Sequence, residues 1–211
     1  FHAQGEAALV ADALAFVDFM LSQSRGALLA PEQRALRSDA RRSAHLGELF
    51  RERKRMGAAS EAYGRAYKVV GDKYESVSNK YALTLLELRK FDEAAVVLEG
   101  SLKMHPGSAS TNVHLGRIHL RAKRFAAAKQ AYLDALAVNP FDPEVHVALY
   151  AAGEALNDAT LKTRAKDAVK VLLKVEDSVV PALAKKFAQS DDLAETQLEM
   201  TEPPRALPDA G

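Results

Sequence analysis

Apolar residues fall at helical spacings along two neighbouring stretches. From Thr111 to Ala122 they are Val113, Leu115, Ile118 and Leu120, and from Phe125 to Val138 they are Phe125, Ala128, Tyr132, Ala135 and Leu136. Such spacing predicts two helices, each burying one face. Lys123 and Arg124 separate them, and Asn139-Pro140 closes the second as His105-Pro106 closes an earlier helix. Proline cannot continue the hydrogen-bond ladder, and it disfavours the α region for the residue before it. No stretch alternates apolar and polar residues around Asn-Gly or Asp-Gly turns, so β structure is not expected. Upstream, Glu6 to Gln23 places Leu9, Ala13, Phe16, Val17 and Met20 on one helical face, followed by a loop at Arg25-Gly26. Pro31 suits the first turn of a helix running on into the next element. Near the other end, Ser178 to Ala188 reads as a solvating cap helix.

The pattern repeats. Phe91 and Phe125, Ala94 and Ala128, Leu98 and Tyr132, and Pro106 and Pro140 are each 34 residues apart, a period of helical-hairpin repeats. A shift of 35 superposes Met56, Ala59, Tyr63 and Ala66 on Phe91, Ala94, Leu98 and Ser101, and the extra residue fits near Gly71 and Asp72. A single helix pair cannot bury both of its faces, so the pairs must stack on their neighbours.

These residues resemble the tetratricopeptide repeat (TPR). The unit from Ala109 to Asp142 carries Leu115, Gly116, Ala128, Tyr132, Ala135 and Pro140 at the family's positions, with Asn112 and His119 where aromatic residues are usual. The unit from Ala40 carries Leu46, Gly47, Phe50, Ala59, Tyr63 and Ala66, with Gly71 where proline is usual. The unit from Glu75 keeps Tyr81, Ala82, Ala94, Leu98 and Pro106 but has Ser101 for the last Ala. A fourth, from Pro143, has Leu149 and then degenerates. The resemblance implies an all-α, right-handed superhelical solenoid of about four units (40–74, 75–108, 109–142, 143–175). Before it, residues 1–30 hold an amphipathic helix, with the end of a preceding domain as the alternative reading; after it, 176–211 hold the cap helix and an acidic disordered tail rich in Asp and Glu after Gln189.

In this family the first helix of each unit lines a concave groove. Carried over, that implies Arg41, His45, Glu48, Asn79, Leu83, Leu86, Val113, Arg117 and Arg121 as groove contacts; plain solvent exposure is the alternative for each. Arg117 and Arg121 share one helix face, and Arg41 holds the corresponding face of the first unit. Basic ends around apolar Leu83, Leu86 and Val113 suit a partner segment with carboxylates flanking hydrophobic anchors, and the acidic tail is one candidate occupant. The family's carboxylate-gripping variant uses Lys, Asn and Arg at positions that hold Ala44, Glu48, Lys80, Ser110 and His114 here, so that clamp is not expected.

Charge and composition narrow the chemistry. With 29 Lys and Arg against 28 Asp and Glu, no global field draws the chain to nucleic acid or lipid. The basic stretch Arg34, Arg37, Arg41, Arg42, Arg51, Arg53, Lys54, Arg55 is interleaved with Glu32, Asp39, Glu48 and Glu52 and lacks stacking aromatics apart from Phe50. It reads as a solvated helix face rather than a nucleic-acid surface. No cysteine is present, so thiolate chemistry is excluded and the compartment is unreadable. His114 and His119 project in different directions, so no metal or cofactor is expected. The apolar run from Ala7 to Leu21 contains Asp12 and Asp18 and is shorter than the ~20 residues a membrane span needs.

Two readings follow. The first is a protein-interaction scaffold without enzymatic activity, binding a protein or peptide, with no nucleic acid and no membrane insertion. The second starts from Phe1-His2-Ala3-Gln4-Gly5 and the Leu9 to Leu14 helix, which together resemble the end of an SGNH-type hydrolase domain. It makes the chain the C-terminal TPR region of a larger esterase or acyl hydrolase, with the catalytic histidine just before Phe1. Phe1 in place of Met, with no basic segment ahead of the apolar stretch, fits a chain that is a piece of a longer one.

Overall fold

Pro31 opens an unbroken helix of 22 residues, α1 (Pro31–Glu52). Its fixed φ and missing N–H suit the first helical position. The computed structural model describes residues 31–189, and among them every regular element is helical. They divide into two units between Gly107 and Ser108. The first unit holds α1, α2 (Met56–Val70), a short 3-10 turn (Gly71–Lys73), α3 (Glu75–Glu87) and α4 (Phe91–Met104). The second holds α5 (Ala109–Arg121), α6 (Phe125–Val138), α7 (Pro143–Ala155), α8 (Ala159–Leu173) and α9 (Val179–Gln189). The expected Glu6–Gln23 helix, the hydrolase-like segment at Phe1–Leu14 and the acidic tail all lie outside the described residues.

The hairpin turns repeat in detail. Lys54 and Arg89 in the first unit, and Lys123 and Asn157 in the second, sit in the left-handed region at φ 54 to 60°. In each case the next residue's N–H reaches back five residues: Arg55 to the Phe50 carbonyl at 2.8 Å, Lys90 to Leu85 at 2.9 Å, Arg124 to His119 at 2.8 Å and Asp158 to Gly153 at 2.9 Å. This is the Schellman closure of a helix. It is reached here without glycine, at a cost of about 1 kcal/mol per turn. Side chains cap the starts of α5, α7 and α8 in the second unit. The Ser108 hydroxyl accepts from Thr111 N–H at 3.0 Å, Asp142 accepts from Glu144 N–H at 3.0 Å, and Asp158 accepts from Leu161 N–H at 2.9 Å. The 35-residue offset of the first repeat has a structural cause. Gly71 takes φ 58° at the 3-10 turn, and the Tyr67 hydroxyl donates to Asp72 at 2.5 Å across it.

Small residues and tyrosines interlock in both units. Tyr63, Ala59, Ala62 and Ala66 of α2 are fully buried in the first, and Tyr132 and Ala128 of α6 in the second. A Cβ at Gly47 would lie 2.8 Å from the Tyr63 ring, and one at Gly116 would lie 2.6 Å from the Tyr132 ring. Both distances are impossible, so glycine is what lets each ring lie flat on the preceding helix.

The second unit departs from simple repetition at its end. Besides its hairpin partner α8, α7 packs on α6, the second helix of the preceding hairpin, and on α9, whereas α9 rests chiefly on α7 and only lightly on α8. Val180, Ala184 and Phe187 are the buried stripe of α9. α7 is apolar on every side, with Val145, Val147, Ala148, Leu149, Tyr150, Ala151 and Ala152 all buried. A helix of that kind must be covered on all sides.

Candidate functional site

On α1, residues 41, 45 and 48 recur at i, i+4 and i+7, and on α3 residues 79, 83 and 86 do the same, so each set shares one helix face. The Lys80 ammonium lies 3.1 Å from the Glu48 carboxylate and joins α1 to α3. Arg41 is exposed, His45 and Leu83 are half-buried, and Leu86 and Asn79 are buried. Arg37 reaches over the Tyr74 ring at 6.0 Å.

Glu48 is the junction of this face. It accepts from Arg51 at 2.6 Å, from Lys80, and from the Tyr63 hydroxyl, which reaches it from α2. Burial pushes the Glu48 carboxyl up, but the hydrogen bonds from Arg51, Tyr63 and Lys80 together outweigh burial and hold it at about 2. Burial and the Glu48 contact push the Tyr63 hydroxyl well above the usual phenol range. The proton therefore stays on Tyr63 and the charge on Glu48. From the sequence, Glu48 is expected as a groove contact; in the structure its oxygens already serve three partners.

The α5–α7 face of the second unit carries the opposite charge at the equivalent place. Arg117 stands on α5 where Glu48 stands on α1, one repeat position above the tyrosine of the following helix. Arg117 is expected from the sequence to be a groove contact, with plain solvent exposure as the alternative; in the structure it is 6% exposed and ion-paired to Glu144 at the start of α7. Its guanidinium carbon lies 4.6 Å from the centroid of the Phe187 ring, which α9 brings over it. Burial lowers the Arg117 pKa and raises that of Glu144, in each case against the pull of the partner charge. Arginine has no acceptor, so it cannot do for Tyr132 what Glu48 does for Tyr63. Among the described residues, the Tyr132 hydroxyl and the Arg117 Nε have no hydrogen-bond partner.

Val113 is half-buried against the second unit's core, and Arg121 is half-buried at the end of α5. Asn112 and His119, which replace aromatic residues of the repeat, are both buried. Asn112 donates to the Ser108 carbonyl at 3.1 Å. A cavity of about 300 Å³, absent from the sequence expectations, opens among α6, α7 and α8, lined by Leu133, Leu136, Leu149 and Leu161. Lys129 and Asp158, paired at 2.9 Å, also line it. The described residues contain no cluster of three or more potential metal ligands and no helix long and apolar enough to cross a membrane.

The place of α9 was not foreseen, although its signal stands in α7. Val147 and Ala151 occupy the repeat positions that hold Asn79 and Leu83 on α3 and Val113 and Arg117 on α5. An apolar pair there, with Tyr150 beside it, calls for a covering element.

Stacked helical hairpins with a buried glycine–tyrosine contact define a helical-repeat scaffold, and comparison with known proteins agrees. Residues 85–153 match the family model described as Tetratricopeptide repeat. No curated relative matches the chain. Among solved structures, MamA from Desulfovibrio magneticus RS-1 (residues 41 to the end) superposes with a TM-score of 0.62 at 17% identity, covering 77% of this chain and 96% of that one. A MamA structure from MSR-1 gives 0.60 at 17% identity, with coverage of 82% and 91%. YrrB, described as a TPR protein with an unusual peptide-binding site, gives 0.63 at 13% identity and 88% coverage of both chains. Residues 85–153 carry the tetratricopeptide repeat, and the described residues have the all-α solenoid fold expected from the sequence.

Proposed function

We propose that the chain binds a peptide or helix of a partner protein on the α1–α3 face of its first unit and has no catalytic role. The observation that carries this reading is the Lys80–Glu48 bridge at 3.1 Å, which links the two helices beside exposed Arg41, half-buried His45 and half-buried Leu83. Arg37, Arg41 and Lys80 make this face basic, and Leu83 supplies an apolar contact among them. That combination suits a segment bearing carboxylates beside a hydrophobic anchor. YrrB, a TPR protein of similar fold with a peptide-binding site, supports the class of ligand. No nucleophile, base and orienter set occurs in the chain's motifs, and the partner is read as protein rather than nucleic acid.

The test is recovery of the native partner with wild type and with Arg41→Glu/His45→Glu as bait. The double variant should lose the partner while its helical circular dichroism is unchanged. Undiminished recovery would move recognition off this face.

A further inference from the structure

The second unit already shows what its α5–α7 face accepts. α9 lies on α7 instead of continuing the stack on α8. It presents Val180, Ala184 and Phe187 at i, i+4 and i+7 to that face and leaves Pro181, Ala182, Lys185 and Lys186 exposed. This is how an amphipathic helix sits in a groove. The floor is Val147, Tyr150 and Ala151, and the end is closed by Phe187 over Arg117 at 4.6 Å.

α9 is an incomplete occupant. It covers the apolar floor, yet it offers Arg117 only a ring, and among the described residues the buried Arg117 Nε and Tyr132 hydroxyl stay without hydrogen-bond partners. Tyr132 is close enough to Arg117 and Glu144 for both charges to act on its hydroxyl. The nearby acceptor, the Glu144 carboxylate, is taken up by the Arg117 Nη2, so the Arg117 Nε and the Tyr132 hydroxyl are two buried donors that a ligand carboxylate would satisfy.

The tether of α9 is also weak. Lys174 turns the chain in the left-handed region at φ 53°. Asp177 is then held by Lys166 at 2.9 Å and by Lys170, in ion pairs whose side chains are 30 to 55% exposed. Exposed pairs of this kind hold little.

The geometry points to α9 as a built-in, displaceable occupant of a second binding face, whose outside ligand is an amphipathic partner helix with an aliphatic residue, a small residue and an aromatic residue at i, i+4 and i+7 and a carboxylate one turn from the aromatic. This rests on the scaffold reading and extends it to the second unit. Such a ligand gives everything α9 gives and adds the acceptor that Arg117 and Tyr132 lack.

The test uses the full chain and two fluorescein-labelled synthetic peptides: residues 178–189 as they stand, and the same peptide with Leu183→Glu, which puts a carboxylate one turn before Phe187. Binding is read by fluorescence anisotropy. Phe187→Ala in the chain, which loosens α9, should take up both peptides at least tenfold more tightly than wild type, and the Leu183→Glu peptide more tightly than the plain one. Asp177→Lys, which leaves the core intact and breaks only the exposed latch, should shift binding the same way by a smaller factor. Equal binding to wild type and Asp177→Lys, or no uptake by a folded Phe187→Ala chain, would overturn the proposal. If peptide uptake fails while the Arg41-dependent partner is still recovered, the α9 proposal falls alone. If that partner is also missing, the scaffold reading falls with it.

Discussion

Glu48 in the first unit and Arg117 in the second occupy the same repeat position beside the same buried tyrosine, and they solve its polarity in opposite ways. The carboxylate of Glu48 accepts from Tyr63 and recruits Lys80 and Arg51 at a partly exposed edge. The guanidinium of Arg117 cannot accept, needs Glu144 as counter-ion, and is sealed by Phe187. One sign of charge leaves a face on which Arg41 is still exposed; the other leaves a face closed by the chain's own helix. The repeat dictates the packing, while the charge at this position differs between the units, and in the second the apolar surface of α7 carries α9.

The largest effect that would break this comparison comes from removing one partner on each side. Arg117→Ala leaves Glu144 buried without its cation and should cost about 3–5 kcal/mol. Lys80→Ala removes a side chain that is 49% exposed and should cost less than about 1 kcal/mol. Urea unfolding of the two variants checks this. Similar losses would mean that the two bridges are equivalent after all.

The tyrosines sharpen it next. Tyr63→Phe deletes a hydrogen bond to a charged acceptor, worth about 1.5–3 kcal/mol. Tyr132→Phe deletes a buried hydroxyl that has no partner among the described residues, so it should be neutral or stabilising. Denaturation midpoints of the pair decide the sign.

The repeat was legible from sequence because its determinants are local and periodic. Gly47 with Tyr63 and Gly116 with Tyr132 recur at fixed offsets, and a helical hairpin needs no distant partner to declare itself. The charged contacts were not legible for the opposite reason. Arg117 and Arg121 share a face and look alike along the helix, but what separates them is Glu144, 27 residues on, and Phe187, 70 residues on. Helical periodicity does not encode which distant side chain covers which. Ser178–Ala188 was readable as a helix, and the apolar Val147, Tyr150 and Ala151 pointed to a cover, but joining the two required the path of the chain through Lys174.

A smaller effect is the pH dependence of the first face. The Glu48 carboxyl is held at about 2 in the folded protein against its ordinary 4.5. Its contribution is therefore present above about pH 4.5 and is lost as pH falls toward 2. Allowing for solvent screening of a carboxylate that is 26% exposed, it should amount to about 1–2 kcal/mol. The stability gap between wild type and Glu48→Gln should be full at pH 7 and close as pH falls from about 4.5 toward 2. A gap that stays constant over that window would show that Glu48 is not held by its three donors.

Arginine footprinting tests the contrast most directly. Wild-type chain is treated with phenylglyoxal, the adducts are located by mass spectrometry, and Arg41 and Arg117 are compared in the same sample. Arg41 should label rapidly, and Arg117, under Phe187 and against Glu144, should be protected until Phe187→Ala uncovers it. If Arg117 labels as fast as Arg41 in the wild-type chain, the second face is not closed by α9 and the contrast between the two units fails.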